Sequence, residues 1–283
     1  MEQKYIYLKN QNINLFFNIF TSLKNEGAFS YDINFEYFIN YINFLNIKEE
    51  TSFIFSDNNS NIGLFLSTIK GKKAYIPAII VLKKYRGQGY GKILLQKGIS
   101  LLLENNCNIV ILEVLKVNEN ALKLYRDEKF KIKNEIISYR NESNSFYKSH
   151  LNKEYKLINP DSYSFHVLYK AFHKQPQPWQ KKLSMILSKI RMNESSIYLI
   201  QNNDNLICGY FVVSRKDNIL EIDDIGLKEE VYSLFDSFVT LLVNGEKIVQ
   251  ANSFYTNDPL CKVFEQNGFF VDNIQYEMER KLK

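Results

Sequence analysis

A short glycine-rich loop is the part of this chain whose residue types and spacing most directly suggest chemistry. Glycines stand at positions 87, 89 and 91, between an apolar strand-like run that ends at Leu82 and a helical pattern that begins near Lys92. Backbone N–H groups in the first turn of a helix have no partner within the helix, and the helix dipole makes that end positive. The loop is therefore predicted to hold a phosphate or pyrophosphate group.

The glycine spacing excludes two common phosphate-binding loops. A Walker A loop would need glycine at position 86 and Ser or Thr at position 93, where the chain has Arg86 and Ile93. In a dinucleotide-binding loop counted from position 87, the third glycine would fall on Lys92. The pattern that remains is Arg-x-x-Gly-x-Gly over positions 86–91, and an ordinary strand-to-helix turn is the alternative reading.

A second motif follows the helix that leaves this loop. The segment 108–117 is apolar and strand-like, and a short helical pattern begins around Asn118. Asn is a good residue before a helix because its side-chain oxygen accepts from an early backbone N–H group. The order is therefore strand, phosphate loop, helix, strand and a capped helix.

The two motifs together resemble those of the GCN5-related N-acetyltransferases (GNAT family). In that family the second motif reads Asn-x-x-Ala-x-x-Leu-Tyr-x-x-x-Gly-Phe. The chain departs from it at Lys129, where glycine usually ends the helix in a left-handed conformation, and matches it at Asn118, Ala121, Leu124, Tyr125 and Phe130. The resemblance covers roughly residues 1–140.

This resemblance implies acetyl-CoA as cosubstrate and assigns the residues that bind it. The backbone of the central strand is expected to pair with the pantetheine arm like an added strand, and Asn118 to bond that arm or to order a water molecule. The strand residues are Ile80, Val81 and Leu82. The residues expected around the pyrophosphate are Arg86, Gly87, Gln88, Gly89, Tyr90, Gly91 and Lys92.

Two side chains are candidates for the chemistry of acetyl transfer. Tyr125 matches the family tyrosine that gives a proton to the leaving thiolate; otherwise it is an aromatic residue that holds its helix. Glu113 is the only charged residue between Ile109 and Leu115, and a carboxylate in an apolar strand is costly without a partner or a purpose. It is the candidate base, and a water molecule is the alternative.

These features predict an acetyl-CoA-dependent N-acetyltransferase that moves an acetyl group to a primary amine of a small molecule or a peptide. The transfer would be direct, within a ternary complex. The alternative is a non-catalytic acyl-CoA-binding sensor or interaction module. A binder needs the glycine loop but no proton donor, so Tyr125 favours the enzyme.

The predicted fold class is α/β, or mixed α+β, with a mostly antiparallel central sheet flanked by helices. Pro77 interrupts the central strand, and the resemblance implies a bend or bulge there. The predicted strands of the first domain are 5–8, 52–55, 62–67, 75–82, 109–115 and 132–139, and the helices before the hairpin are 11–23 and 35–45.

The same order begins again after a polar linker at 141–149. A shift of 139 residues, from Asn118 to Asn257, places Phe264 on Tyr125 and Gly268 on Lys129. We therefore predict two tandem acyl-CoA N-acyltransferase-like domains, at 1–141 and 150–283. The second is predicted to begin with a strand at 155–158, a helix at 162–172 and a hairpin of strands at 197–201 and 207–213.

The second copy lacks the residues that carry the chemistry of the first. No Arg-x-x-Gly-x-Gly loop follows its central strand, where the acidic segment 223–230 is expected to repel a pyrophosphate. The shift of 139 also puts Asn252 in place of the candidate base. We predict that this domain does not bind acyl-CoA in the usual way.

Composition bounds the remaining possibilities. A net charge of +5 over 283 residues, with no basic block, argues against nucleic acid as a partner. Three distant cysteines, without a Cys-x-x-Cys pair or a histidine cluster, predict a cytoplasmic protein with no metal and no disulfide framework. No signal-peptide pattern or membrane-length apolar run is present, so no membrane partner is expected.

The abundance of Asn, Ile and Lys is typical of an AT-rich bacterial genome. A monomer or homodimer is expected, and His166, His173 and Trp179 are read as structural.

Overall fold

The computed structural model describes residues 3–22, 34–142, 154–160 and 165–282. The chain divides into two compact units. Unit 1 comprises Met1–Lys133 and Tyr276–Lys283, and unit 2 comprises Asn134–Gln275. The predicted linker falls largely outside the described residues, as do position 23 of one predicted helix and positions 162–164 of another.

Unit 1 is a mixed sheet with helices before and after its central hairpin. The sheet order is β1-β2-β3-β4-β5, and the last part of β12 (Phe270–Lys281) lies beside β5. The strands β1 to β4 pair antiparallel in sequence, whereas β4 and β5 are parallel. The strands are β1 (Gln3–Tyr7), β2 (Phe53–Asp57), β3 (Ser60–Lys70), β4 (Lys73–Val81) and β5 (Ile109–Leu115). The helices are α1 (Ile13–Phe20), α2 (Phe35–Leu45), α3 (Tyr90–Glu104) and α4 (Glu119–Asp127).

Most of the predicted elements of unit 1 are confirmed, with different ends. The helix expected at 11–23 is a 3₁₀ turn (Asn10–Asn12) followed by α1. The predicted hairpin forms around Asn58 and Asn59, which have φ angles of 47° and 59°. Asn tolerates this left-handed conformation better than most residues, and two such residues give the turn that suits the twist of a two-stranded ribbon.

Strand alternation divides the side chains of β4 and β5 between two faces of the sheet. Ala74 and Ile76 of β4, with Val110 and Leu112 of β5, belong to the apolar core that includes residues of α3 and α4. Tyr75, and Glu113 on the neighbouring strand, alternate with these residues and point to the opposite face. The sheet therefore separates the core under α3 and α4 from the candidate base.

Two strands, β6 (Lys131–Glu142) and β12, are each divided between the two units. The strand predicted at 132–139 as the end of the first domain is β6, and from residue 134 onward it belongs to unit 2. There it pairs with β11 (Ile248–Tyr255). In unit 1 the last part of β12 (Phe270–Lys281) is used instead, and Met278 is completely buried in that core. The strand predicted at 132–139 is thus present, but its residues from 134 onward lie in unit 2, because local pattern does not show which strand a segment pairs with.

Unit 2 repeats the arrangement of unit 1. Its sheet order is β7-β8-β9-β10-β11-β6, antiparallel except for the parallel pair of β10 and β11. The prediction of a second domain of the same fold is thereby confirmed. Its other strands are β7 (Tyr155–Ile158), β8 (Ser195–Asn202), β9 (Ile207–Lys216) and β10 (Ile219–Leu227). Its helices are α5 (Phe165–Phe172), α6 (Leu183–Arg191), α7 (Phe235–Leu242) and α8 (Leu260–Gln266).

No helix in the described ranges is long and apolar enough to cross a membrane. No group of three or more His, Cys, Asp or Glu side chains within those ranges is placed to hold a metal ion.

The helix α4 ends in a Schellman motif despite having lysine at the left-handed position. The Phe130 N–H donates to the Tyr125 carbonyl at 2.9 Å, and the Lys129 N–H donates to the Arg126 carbonyl at 3.0 Å. Lys129 has a φ angle of 67°, and its counterpart Gly268 has 75°. The motif therefore fixes the end of the helix that carries Tyr125, at the cost of modest backbone strain in unit 1.

Replacing Lys129 by glycine should relieve this strain. We expect Lys129→Gly to raise the free energy of unfolding by about 0.5–1 kcal/mol, because glycine adopts positive φ without a steric penalty. Urea denaturation measures the effect. The matched control is Lys131→Gly, an exposed residue of β6, which should destabilise because glycine weakens a strand. A lower unfolding free energy for Lys129→Gly would contradict the assignment.

Candidate active site

The site begins where the two parallel strands of unit 1 stop pairing. β4 and β5 pair only from Lys73 to Ile76 and from Ile109 to Leu112. The next residue is Pro77, which has no N–H group to give to a ladder. The register of β4 against β3 also shifts at this point, which confirms the expected bulge. Beyond it a gap opens at the carboxyl ends of two parallel strands, a common place for a ligand.

One of the three predicted strand residues turns its backbone toward this gap. The Leu82 N–H donates to the Ile62 carbonyl of β3 at 2.9 Å, and Ile80 has the same orientation two residues earlier. Val81 therefore faces away from β3. Its carbonyl accepts a hydrogen bond of 2.9 Å from Nε of Arg86, which ties the start of the loop to the edge of the strand.

The glycine loop leaves an open space above its backbone. Gly87 and Gly89 have φ angles of 74° and 86°, and a Cβ added at either would meet no atom within 4 Å. Gly89 is the residue before α3. The N–H groups of Tyr90 and Gly91 lie in the first turn of that helix, where no preceding carbonyl reaches them. The loop has the shape and the donors of an anion cradle.

Gly91 is required for a different reason. A Cβ at this position would lie 3.3 Å from Cδ2 of Leu124 on α4. The absence of a side chain therefore lets α3 approach α4 closely, next to Tyr125. Two of the three glycines shape the loop, and the third brings together the two helices that carry the site.

Basic side chains surround the cradle. Lys83 and Lys84 lie in an exposed 3₁₀ turn (Lys83–Tyr85) between β4 and the glycines. The side chain of Lys92 is 59% exposed, and its Nζ lies 3.8 Å from Oε1 of Glu128. Nε2 of Gln88 donates to the Lys84 carbonyl at 3.2 Å and so braces the turn. The positive charge favours an anionic ligand in the loop.

A hydrogen bond anchors the start of α3. The Tyr90 hydroxyl donates to Oδ2 of Asp57 at 3.3 Å. Burial and the neighbouring Asp57 carboxylate raise the pKa of the Tyr90 phenol, so this donor keeps its proton at neutral pH. Tyr90 was predicted as a cofactor contact through its backbone, and its side chain has this separate role.

Asn118 caps α4, the helix of the second motif, as predicted. Its Oδ1 accepts from the Ala121 N–H at 3.2 Å, and α4 begins at the next residue, Glu119. The cap fixes where α4 starts, and the Schellman motif fixes where it ends. Both ends of the short helix that carries Tyr125 are therefore set by local hydrogen bonds.

Tyr125 lies on the side of the sheet that packs against α3 and α4. Its ring centroid is 5.9 Å from that of Phe130, and the ring packs against the core of unit 1. Burial raises the pKa of the Tyr125 phenol to about 12. The hydroxyl therefore remains a proton donor across the physiological range.

Glu113 has a partner that the sequence did not reveal. The hydroxyl of Tyr75, a buried residue on β4, donates to Oε2 of Glu113 at 3.0 Å. This bond offsets part of the cost of placing a carboxylate in an apolar strand. Tyr75 lies 38 residues away in the chain, and only the parallel register of β4 and β5 brings the two together.

The two candidate catalytic residues lie on opposite faces of the sheet. Glu113 alternates with Leu112 and Val114, which are part of the core under α3 and α4, so its side chain lies on the other face. Tyr125 lies on the side of that core.

In unit 2 the cradle is missing. After β10 come Lys228 and a 3₁₀ segment (Glu229–Leu234), and α7 begins at Phe235 without a glycine. Asp223 and Asp224 were expected after the central strand, next to the pyrophosphate position. This was wrong: both lie inside β10 and are buried, since a bulge between positions 222 and 224 turns them into the protein.

In unit 2 the carboxylate on the corresponding face lies on the neighbouring strand, β10. Asn252 stands in the place of Glu113, as predicted, and its Nδ2 donates to Oε1 of Glu221 on β10 at 2.9 Å. In the parallel register, Glu221 stands in the place of Tyr75. Although burial acts in the other direction, the charge of Lys189 and the Asn252 hydrogen bond hold the pKa of Glu221 below its ordinary value.

Two lysines fill the face of unit 2 that corresponds to the Glu113 face of unit 1. Lys189 of α6 forms an ion pair with Asp223, which also accepts from the Ser195 hydroxyl at 2.7 Å. Lys181 is buried, and its Nζ donates to the Asp223 carbonyl at 2.9 Å and lies 3.8 Å from the ring centroid of Phe254. This face is therefore occupied by the ammonium groups of the chain itself.

Part of the chain is similar in sequence to known acetyltransferases. Residues 15–130 match the family described as "Acetyltransferase (GNAT) family". A stretch of 60 residues is 38% identical to thialysine N-epsilon-acetyltransferase of Bos taurus, covering 21% of this chain and 35% of that protein. Another of 56 residues is 39% identical to N-alpha-acetyltransferase 30 of Xenopus laevis, covering 20% of each. The matched part thus spans about a third or less of the length of these relatives.

Solved structures resemble the chain over nearly its whole length. A tandem GNAT protein from the clavulanic acid biosynthesis pathway has a TM-score of 0.75 at 11% identity, with 99% of this chain and 98% of that chain covered. A GCN5-related N-acetyltransferase from Sphaerobacter thermophilus has a TM-score of 0.73 at 11% identity, with 99% and 95% covered. Residues 15–130 therefore match the acetyltransferase (GNAT) family model, and they lie in a chain that has the fold of a tandem GNAT protein.

Proposed function

We propose that unit 1 is an acetyl-CoA-dependent N-acetyltransferase that acts on a primary amine of a small molecule or a peptide by direct transfer in a ternary complex. One observation carries the proposal: an open glycine cradle follows immediately on the strand that separates from its parallel neighbour. The cradle suits a pyrophosphate, and the gap beside Val81 suits an extended amide arm.

Residues of unit 1 would hold the pyrophosphate and the pantetheine arm of acetyl-CoA. The N–H groups from Gly87 to Gly91 would hold the pyrophosphate, with Lys83 and Lys84 nearby to attract it. The backbone of Val81 would pair with the pantetheine arm. Acetyl-CoA supplies the activated acetyl group as a thioester.

The relatives support an amine acceptor. One is named for a side-chain amine, as a thialysine N-epsilon-acetyltransferase, and the other for an α-amine, as N-alpha-acetyltransferase 30. Both names refer to transfer of an acetyl group to nitrogen. The similarity favours the same reaction class for unit 1 without favouring either acceptor.

Glu113 is suited to receive the proton of the acceptor. An ammonium group must lose a proton before its nitrogen can attack the thioester carbonyl carbon, and the Glu113 carboxylate would take it directly or through one water molecule. Tyr75 keeps that carboxylate in place through its 3.0 Å hydrogen bond. Tyr75 is thus a positioning residue in this scheme.

Tyr125 is suited to the second half of the reaction. When the C–N bond has formed and the C–S bond breaks, the sulfur leaves as a thiolate. The Tyr125 phenol would give its proton to that sulfur, and its raised pKa keeps it protonated until then. An N–H group on the edge of β4 would stabilise the oxyanion that forms between the two steps.

Unit 2 is proposed to bind no acyl-CoA, because it has glutamates and a 3₁₀ segment in place of the cradle. A cytoplasmic location is also proposed. It is supported by Cys107, Cys208 and Cys261, which are all buried and unpaired, since a reducing compartment keeps thiols free.

Substitution in the cradle tests the binding of acetyl-CoA. Gly89→Glu should abolish binding, because its carboxylate would lie over the N–H groups that hold the pyrophosphate. The matched control is Gly71→Glu, which has a φ angle of 61° and equally open surroundings in another turn, and it should bind normally. Calorimetry should show one acetyl-CoA per wild-type chain. Unchanged affinity for Gly89→Glu, or two sites per chain, would contradict the proposal.

The pH–rate profile tests the role of Glu113. Glu113→Gln should lower kcat/KM about 100-fold and remove the acidic limb of the profile, because the proton acceptor is lost. Tyr75→Phe should keep the acidic limb but move it to higher pH, since the carboxylate loses a donor that favours its charged form. An acidic limb that stays unchanged in Glu113→Gln would assign the role of base to water.

Kinetics of Tyr125→Phe test the proton donor. We expect kcat to fall about 100-fold with little change in the affinity for acetyl-CoA, because the ring stays in place and only the proton is lost. In the wild type, loss of rate from ionisation of Tyr125 should appear only as the pH approaches the pKa of about 12. Full activity of Tyr125→Phe, or tight acetyl-CoA binding by the wild type without turnover of any amine, would exclude this mechanism.

A further inference from the structure

Unit 2 contains a cavity of about 900 Å³ that no step of the proposed acetyl transfer uses. It lies beyond the point where β10 and β11 stop pairing, at Ile222 and Ala251. Its walls come from the end of α5, the end of β10 and residues 255–260 after β11. The cavity therefore stands at the carboxyl ends of two parallel strands, where open α/β sheets usually bind their ligands.

The strand β10 presents a backbone edge to this cavity. The Lys228 N–H donates to the Cys208 carbonyl of β9 at 2.9 Å, and Gly226 has the same orientation two residues earlier. Ile225 and Leu227 therefore point their N–H and C=O groups away from β9. Ile225 is completely buried, whereas Leu227 is 8% exposed and lines the cavity. An extended chain of amides supplies the alternating donors and acceptors that such an edge pairs with.

The inner end of the gap is already closed. The Asp223 carbonyl accepts from Nζ of the buried Lys181 at 2.9 Å. A ligand strand could thus pair from Leu227 outward. Because β10 ends at Leu227, only a short part of the ligand chain would pair with it.

The charge at the mouth of the cavity is the reverse of that in unit 1. A shift of 146 residues, from Pro77 to Asp223 at the two bulges, places Glu229 and Glu230 on Lys83 and Lys84. Glu229 lines the cavity, together with Asp258. These carboxylates repel a pyrophosphate and attract a basic group.

The basic side chains near this mouth do not cancel its negative charge. Nζ of Lys228 lies 3.8 Å from Oε1 of Glu230, so its charge is matched within the same turn. Lys174 is an exposed residue of the lining, two positions after the end of α5. The Asp258 carboxylate accepts from the Leu260 N–H at 2.9 Å, so Glu229 is the carboxylate that faces a ligand.

A fixed polar side chain completes the wall. Nε2 of His173 lies 3.0 Å from Oδ2 of Asp224, and the Tyr210 hydroxyl donates to the same oxygen at 2.7 Å. The side chains of His173 and Asp224 are 7% and 0% exposed. His173 lines the cavity in a fixed orientation, so a polar group of a ligand would meet a preorganised partner.

We propose that this cavity binds a short extended peptide that carries a basic residue. The peptide pairs with β10 at Leu227 and directs its basic side chain to Glu229. The site is independent of acetyl transfer in unit 1, and it gives unit 2 a recognition role.

Calorimetry of the full chain with N-acetyl-Ala-Ala-Arg-amide tests the proposal. This peptide has a blocked N-terminus and a guanidinium group, so it offers no acceptor amine to unit 1. We expect one site per chain and at least about tenfold weaker binding of N-acetyl-Ala-Ala-Glu-amide. Glu229→Lys should reverse that preference, and excess acetyl-CoA should leave the peptide affinity unchanged.

A pair of substitutions on α5 tests the location of the site. Ala171 lines the cavity and is exposed, so Ala171→Trp should fill it and abolish peptide binding. Val167→Trp is the matched control, since Val167 is 54% exposed on the same helix and is not part of the wall; it should bind as the wild type does. The proposal is overturned by absence of saturable binding of either peptide, by equal binding to Ala171→Trp, by an unaltered preference in Glu229→Lys, or by competition with acetyl-CoA.

Discussion

The separation of two parallel strands at a bulge is the constraint on which both units depend. In unit 1 the pairing of β4 with β5 ends just before Pro77, and in unit 2 the pairing of β10 with β11 ends just before Asp223. The strand continues on its other edge in both cases, so its backbone stays rigid while one edge becomes free. A free edge at the end of a rigid strand is costly unless something pairs with it. The proposed sites of both units meet that need.

The residues around the free strand edge differ between the two units in charge and in glycine content. Gly87 and Gly89 keep the mouth of unit 1 open and positive, whereas Glu229 makes the mouth of unit 2 negative. Deeper in the gap, unit 2 uses Lys181 of its own chain to pair with the first free carbonyl. The fold thus specifies an opening, and a few residues around it specify which class of molecule can enter.

Sequence patterns predicted the elements whose signals are local. They did not predict which distant strands and side chains pair with one another. The strand at 109–115, the helix at 35–45 and the cap at Asn118 are confirmed with their bounds, because periodicity and capping chemistry act within a few residues. The exchange of residues 134–142 with the end of β12 and the partnership of Tyr75 with Glu113 depend on register across the sheet. No local pattern contains that information, and motif spacing can identify the candidate residues of a site but not their neighbours.

The carboxylate on this face stands on a different strand in each unit. In unit 1 the acid is Glu113 on β5, bonded to the Tyr75 hydroxyl on β4; in unit 2 the acid is Glu221 on β10, bonded to the amide of Asn252 on β11. Each pair keeps one carboxylate and one neutral donor across the same two registers. The nearby Lys189 stabilises the charge of Glu221. Stabilisation of that kind makes a carboxylate a weaker base, so Glu221 is suited to a structural role, whereas the role proposed for Glu113 is proton transfer.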